Sequence, residues 1–441
     1  MTATRILFPI YLLLFTFAAN SHLLVCAEHT FIPLVIAILL FLNLLSGAVS
    51  IRTKSLRLRI LHHGTTLLRI FLWSIIPSAI AHCVFLIAIP KEKWLSVLWS
   101  AIFCIVFEAL IFWIGIICVY ATSFELQIKQ RVVGIICGLI PIANLIVLLN
   151  IIKKTKKEVA FELDKEKLNR ARAHQRLCAT KYPLLMVHGI FFRDFRYFNY
   201  WGRIPKELTN NGAEIFYGNH QSALPIASSA QELYDRIKEI LAVTGAEKVN
   251  IIAHSKGGLD CRYAIEKLGA APYIASLTTV NSPHKGCLFA DYLLEKIPEY
   301  IKIKVAETYN SALIRLGDKN PDFIAAVTDL TAKRCAELFP SEEGYDGIFC
   351  QSIGSVLRKA RSGKFPLNLS YHVAKHFDGE NDGLVGERSF HFGERYTLLT
   401  SRDMRGISHG DMIDLNRENL DDFDVREFYV GLVAELKQKG L

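Results

Sequence analysis

The sequence predicts an α/β protein. Residues 182–441 read as a parallel sheet with helices on both faces and a helical lid. An all-α membrane-spanning region, residues 1–152, precedes it. Three observations carry this. Five apolar stretches crowd the first 152 residues. Beyond them, short β-type runs alternate with helical stretches, as parallel strands joined by crossover helices require. One such run, Lys248-Val249-Asn250-Ile251-Ile252, meets the helix-like stretch 259–268 across six small or polar residues, Ala253-His254-Ser255-Lys256-Gly257-Gly258.

The apolar stretches 6–27, 31–51, 70–90, 94–120 and 132–152 each reach the roughly 20 residues that a bilayer helix needs. Arg5 and Val25-Cys26-Ala27 give the first some signal-peptide character, but its length and the spans that follow favour an uncleaved helix. Arg52, Lys54, Arg57, Arg59 and Arg69 place the loop 52–69 in the cytoplasm, with Glu28-His29-Thr30 outside. Lys153-Lys154-Thr155-Lys156-Lys157 is a second cytoplasmic signal. Gly138, Pro141 and Asn144 interrupt the last stretch, which suits a re-entrant hairpin. That gives four to five spans and puts both basic flanks, and the domain after them, on the cytoplasmic side. Glu108 in the fourth span is either a functional site or a polar residue pairing between helices.

The net charge of +9 lies wholly in residues 1–159. The remainder has no net positive field, which argues against nucleic acid and leaves the bilayer as partner. Of ten Cys, five (Cys178, Cys261, Cys287, Cys335 and Cys350) lie beyond the spans, in no zinc-like spacing. An odd number of thiols suits a reducing compartment better than a disulfide framework, though one bridge is possible. Residues 153–181 are charged and helix-prone, a stalk between the two halves. Nothing in the sequence sets the oligomeric state.

In the second half, runs 184–187, 214–217, 249–252, 277–280 and 349–353 read as buried strands, and 232–241 and 261–268 as helices. The strand–turn–helix around Ser255 matches the nucleophile elbow of α/β-hydrolases, G-x-S-x-G, with Ala253 at the first Gly position. Small neighbours are required because the elbow forces the serine into a strained turn. A serine hydrolase then needs an oxyanion hole, a base and an acid. The oxyanion donors fall to the backbone N–H groups of Ile190, after Val187-His188-Gly189, and of Lys256, after the nucleophile. Such donors contribute on the order of 3 kcal/mol each. His188 and His254 have structural roles, since one ends a strand and the elbow points the other away from substrate.

Chain order in this fold puts the acid and then the base after the serine. Asp382, in Glu380-Asn381-Asp382-Gly383, and His409, in Ser408-His409-Gly410-Asp411, lie in Gly-bearing loops after apolar runs. Spacing alone leaves His391 and Asp378 as rivals. Residues 287–335 interleave apolar and charged residues as lid helices would, and 191–201 hold seven aromatics that suit an acyl channel, a bilayer contact or simple loop packing.

These segments together resemble the bacterial true lipases, α/β-hydrolases that cleave triacylglycerols. The resemblance rests on Tyr182-Pro183-Leu184-Leu185-Met186-Val187-His188-Gly189, the Ser255 elbow, Asn281-Ser282-Pro283-His284-Lys285-Gly286, the stretch from Phe323 to Thr331, Asn381-Asp382-Gly383-Leu384-Val385, and His409 with Asp411. It covers roughly residues 180–420. It implies a Ser255–His409–Asp382 triad, a lipid ester substrate, and a structural role for His284. The triad needs no cofactor. The family's calcium would take Asp411 as one ligand, but no second carboxylate stands at a matching place. Lys256 departs from the uncharged residue usual there, and as a cation beside the elbow it would favour anionic head groups. The expected activity is a membrane-anchored lipase or esterase. The alternatives are an acyltransferase or deacylase on lipid-linked head groups, and a non-catalytic membrane scaffold.

Overall fold

A computed structural model describes residues 2–23, 51, 53–138, 140, 142–190, 199–315, 317–342, 344–401 and 405–441. The chain divides into two compact units, Met1–Arg170 and Ala171–Leu441.

The first unit is helical in its described residues: α1 (Thr2–Ala19), α2 (Leu56–Ala88), α3 (Trp94–Thr122), α4 (Ile128–Cys137) and α5 (Ala143–Arg172). Two helices, Leu56–Ala88 and Lys91–Thr122, are long and apolar enough to cross a membrane. They lie close together because Gly64 and Gly115 leave no side chain between them. A Cβ on Gly64 would lie 2.6 Å from Cys118 Cβ, and one on Gly115 2.9 Å from Leu68 Cγ. Ser74 donates to Glu108 Oε2 at 3.0 Å across the same pair, so Glu108 pairs between helices.

Two expectations change here, on the basic segment and the stalk. The basic segment 52–69 is largely not a loop: α2 begins at Leu56, because Leu58, Leu61, Leu67 and Leu68 form a buried face between the basic residues. Arg57 donates to Glu158 Oε1 at 2.6 Å, and Arg69 lies over the Phe8 ring. The stretch 132–152 is interrupted near Gly138, as expected, with α4 ending at Cys137 and α5 starting at Ala143. The stalk 153–181 is not a separate element: α5 carries it to Arg172, and Cys178 is fully buried in the second unit. Residues 31–50, the loop 28–30, the aromatics 191–198, Cys26, Pro141 and Leu316 lie outside the described residues.

The second unit is a six-stranded parallel sheet. Its strands are β1 (Leu184–Val187), β2 (Ile215–Tyr217), β3 (Val249–His254), β4 (Ile274–Val280), β5 (Phe349–Ser355) and β6 (Arg395–Leu399), in the order β2-β1-β3-β4-β5-β6. Side chains alternate across it. Leu184, Met186 and Ile252 pack with α6 (Ile204–Asn210) and α13 (Val425–Gln438) on one face. Leu185, Val187, Ile251 and Ala253 pack with α7 (Ile226–Thr244) and α8 (Lys256–Leu268) on the other. This architecture fits an α/β-hydrolase. β6 was not expected: it is a partly exposed edge strand whose residues lack the apolar density of the buried runs. The strand order reverses between β1 and β3, the place where open α/β sheets form their crevice at the carboxyl ends.

Candidate active site

The crevice between β1 and β3 holds Ser255. β3 ends at His254 and α8 starts at Lys256, so one residue makes the whole turn. Ser255 has φ 56° and ψ −131°, a region that side chains avoid, at a cost of about 1–3 kcal/mol. Neighbouring contacts hold it there. Ser255 N donates to Val280 O at 2.9 Å, and Gly258 N donates to Ser255 O at 3.1 Å. A Cβ on Gly257 would lie 2.5 Å from His188 O, and one on Gly258 would strike Ser282 Oγ. The two glycines let α8 start flush against the ends of β1 and β4.

Gly189 lies beside the serine: a Cβ there would sit 2.8 Å from Ser255 Cβ. Ile190 follows it, buried against Phe323 and Ala326 of α11 (Phe323–Thr328). Lys256 is the first residue of α8, so its N–H has no acceptor within the helix. Both expected oxyanion donors therefore border Ser255.

Asp382 and His409 come together. His409 Nδ1 lies 2.6 Å from Asp382 Oδ2, and His409 N donates to Asp382 O at 2.9 Å. Asp382 is fully buried. Its Oδ1 accepts from Leu384 N at 2.9 Å and Val385 N at 2.8 Å. Its Oδ2 also accepts from Asn281 Nδ2 at 2.6 Å. The His409 ring packs 4.4 Å from the ring of His254, the residue before the serine. His254 is bonded to Tyr200 Oη through Nδ1 at 2.7 Å. Burial and the nearby His409 hold the His254 pKa well below the usual histidine value, so its ring is neutral.

The rivals lie elsewhere. Asp378 accepts from Leu288 N at 2.9 Å and Phe289 N at 3.2 Å, capping α9 (Leu288–Lys296). His391 packs on Tyr396. His284 is stacked on Phe392, with Nε2 2.9 Å from Thr279 Oγ1.

Asp411 Oδ2 accepts from Ser408 N at 2.9 Å and from Ser408 Oγ at 2.7 Å, while its Oδ1 faces Arg405 Nη2 at 3.2 Å. A guanidinium stands where a cation's further oxygens would be needed, and among the described residues no group of three acidic, His or Cys side chains gathers. Asp411 does not fit a calcium ligand. The expectation for Lys256 is also corrected. Its side chain turns away from the crevice into the protein, where Nζ donates to Asp260 Oδ1 at 2.7 Å and Ser229 Oγ at 2.9 Å. Only its backbone borders the serine.

The chain is 29% identical over 297 residues to a triacylglycerol lipase of Vibrio cholerae, covering 62% of this chain and 92% of that one. It is 33% identical over 178 residues to a triacylglycerol lipase of Pseudarthrobacter phenanthrenivorans, where it spans 55% of the relative's length and 37% of its own. Among solved structures, the mature Bacillus licheniformis lipase BlEst2 matches 58% of this chain and 92% of its own, at 21% identity and a TM-score of 0.43. No family model matches.

The lid expectation maps onto α9, α10 (Glu299–Arg315), α11 and α12 (Ala332–Leu338). Tyr309 of α10 stacks on Phe323 of α11 at 4.5 Å, and α11 in turn packs on Ile190. Tyr300, Ile303 and Ile314 of α10 are exposed. Two contributors escaped the sequence reading. Asn281 supports the acid from a left-handed backbone conformation, φ 48°, just after β4. An Asn directly after an apolar strand was the available signal, since Asn tolerates that conformation. Tyr200 steadies His254, and nothing in its local sequence distinguishes it from the neighbouring aromatics.

Proposed function

We propose that this chain is a membrane-anchored serine hydrolase that cleaves carboxylic esters of lipid-like substrates. That it is a carboxylic ester hydrolase follows from its similarity to several triacylglycerol lipases. The finer reading rests chiefly on one observation: a serine at φ 56° between Gly189 and the glycine-opened start of α8, with a His409–Asp382 pair packed against the preceding residue.

In this reading Ser255 Oγ attacks the ester carbonyl. His409, whose Nδ1 is held by Asp382, takes the serine proton on Nε2 and returns it to the leaving alcohol. Asp382 stays ionised and stabilises the imidazolium. The backbone N–H groups of Ile190 and Lys256 receive the oxyanion. Water then attacks the acyl-enzyme by the same route, releasing the fatty acid and restoring the serine. The purified full chain in detergent should release fatty acid from a triacylglycerol emulsion, and Ser255→Ala should lower kcat by at least about a thousand-fold. Full activity in that variant would refute the assignment.

Membrane anchoring is supported by two helices of spanning length and by their exposed apolar residues, Ile76, Ile80, Trp99, Ile105 and Trp113 among them. The basic residues from Arg52 to Arg69 and Lys153 to Lys157 favour a multi-span region with the hydrolase unit in the cytoplasm. Its five cysteines are buried and unbridged, so they add little background to a labelling test. A cysteine introduced at exposed Lys238 (K238C) should react with an impermeant maleimide only after the membrane is opened. Reaction in intact cells would reverse the orientation.

A further inference from the structure

Lysine is costly to bury, yet the Lys256 side chain is almost wholly enclosed, beginning one residue after the nucleophile. Its partner Asp260, one turn along α8, is buried as deeply. A buried ion pair of this kind adds little net stability, and apolar residues of similar volume often do as well or better. Its directional bonds do fix geometry, and here they lead somewhere specific.

From Asp260 the link to His220 is an electrostatic contact rather than a hydrogen bond, with Oδ2 3.7 Å from Nε2. The His220 ring stacks on the His188 ring with centroids 3.9 Å apart and planes within 5°. His188 Nε2 lies 3.1 Å from His220 O, and its Nδ1 lies 2.8 Å from Gly189 O. All four side chains are buried. The path therefore starts at the residue carrying one oxyanion donor. It ends at the Gly189 carbonyl, in the peptide that carries the other donor, Ile190 N–H. Where the two segments touch directly, at Gly257 and His188, glycine provides contact but no polar tie.

We propose that Lys256, Asp260, His220 and His188 form a buried polar bridge that fixes the separation of the two oxyanion donors, with Lys256 and Asp260 acting as positioning residues. This rests on the serine-hydrolase reading above. The bridge does not touch the ester. It determines how well two preformed N–H groups converge on the oxyanion, so its loss weakens binding of the transition state more than that of the substrate.

The test uses the full chain in detergent, with Lys256→Met, Asp260→Asn and the double variant. Active sites are counted by stoichiometric labelling with a fluorophosphonate. Three quantities follow: kcat per labelled site, KM, and the inhibition constant of an alkyl boronic acid, whose tetrahedral adduct presents an oxyanion. Each single variant should lose about ten- to a hundred-fold in kcat, since an ångström-scale misplacement costs that much. KM should stay within about two-fold, and boronate binding should weaken in proportion to kcat. The double variant, having no unpaired buried charge, should regain thermal stability without regaining kcat. If Lys256→Met fails to fold, His220→Asn probes the same bridge with the same readouts.

A kcat per labelled site within about two-fold of wild type in the single variants would overturn the proposal. So would a double variant that recovers kcat along with stability, which would make the pair a packing element only. If the wild type itself does not label, the serine-hydrolase reading fails and the bridge falls with it. Normal labelling with unchanged variants removes the bridge alone.

Discussion

Ser255 carries a backbone conformation that no residue but glycine adopts cheaply, and its neighbours are arranged around that fact. Gly257 and Gly258 admit the ends of β1 and β4, and Gly189 admits Ser255 itself. In the proposed triad, Asp382 accepts from two backbone amides, Asn281 and His409. Asn281 is shared between Asp382 and Ser355 Oγ, at 2.7 Å from the latter, so it fixes the acid against β5. Asn281→Ala should lower kcat roughly ten-fold with little change in KM, because the carboxylate keeps its charge but loses a lateral support. An unchanged kcat would make Asn281 a structural residue only. The elbow was legible in the sequence because six contiguous residues define it. Asn281 was not, because its role lies in a backbone angle and a contact 101 positions away. Lys256 was misread for a similar reason: sequence shows that a cation follows the serine but not which way its side chain turns.

At the scale of elements, the strand order places the serine and the oxyanion loop at neighbouring carboxyl ends, so α8 must start hard against β1. Gly257→Ala should test that seating. Its Cβ would meet His188 O, a backbone atom that cannot swing aside. A loss of about 1–3 kcal/mol in urea unfolding is expected, together with loss of activity. A variant of native stability and activity would show that the seating is loose. Five of the six strands were legible as apolar runs, among them β2, an edge strand of intermediate burial rather than the buried one expected. β6 was not, because Arg395, Tyr396 and Thr397 make up most of it and leave no apolar run. The basic segment after residue 51 was read as a loop from its charges, whereas its leucines fold most of it into α2.

Across the whole molecule, two buried histidines tie the hydrolase unit to neutral pH. Burial, reinforced by His409, holds His254 well below its usual pKa. Burial, reinforced by Arg262, does the same for His284. In the unfolded chain both protonate near pH 6.5. Below that value the unfolded state binds more protons than the folded one, so stability is full above about pH 6.5 and falls as the pH drops through it. Each such group contributes a slope of up to about 1.4 kcal/mol per pH unit. Burial pushes the Asp260 carboxyl up to about 7, which acts in the opposite sense, so the histidine contribution is read by difference: between about pH 7.5 and 5.5 the thermal midpoint of serine labelling should fall further in the wild type than in His284→Gln. An identical slope in that variant would assign the acid sensitivity to other groups.

An activated nucleophile at Ser255 reacts covalently with a fluorophosphonate, so the deciding measurement exposes the detergent-solubilised full chain to such a probe beside Ser255→Ala and His409→Ala. Labelling of the wild type, its absence in Ser255→Ala and a strong decrease in His409→Ala are expected. A wild type that stays unlabelled, or a Ser255→Ala variant that labels as well as the wild type, would contradict the account.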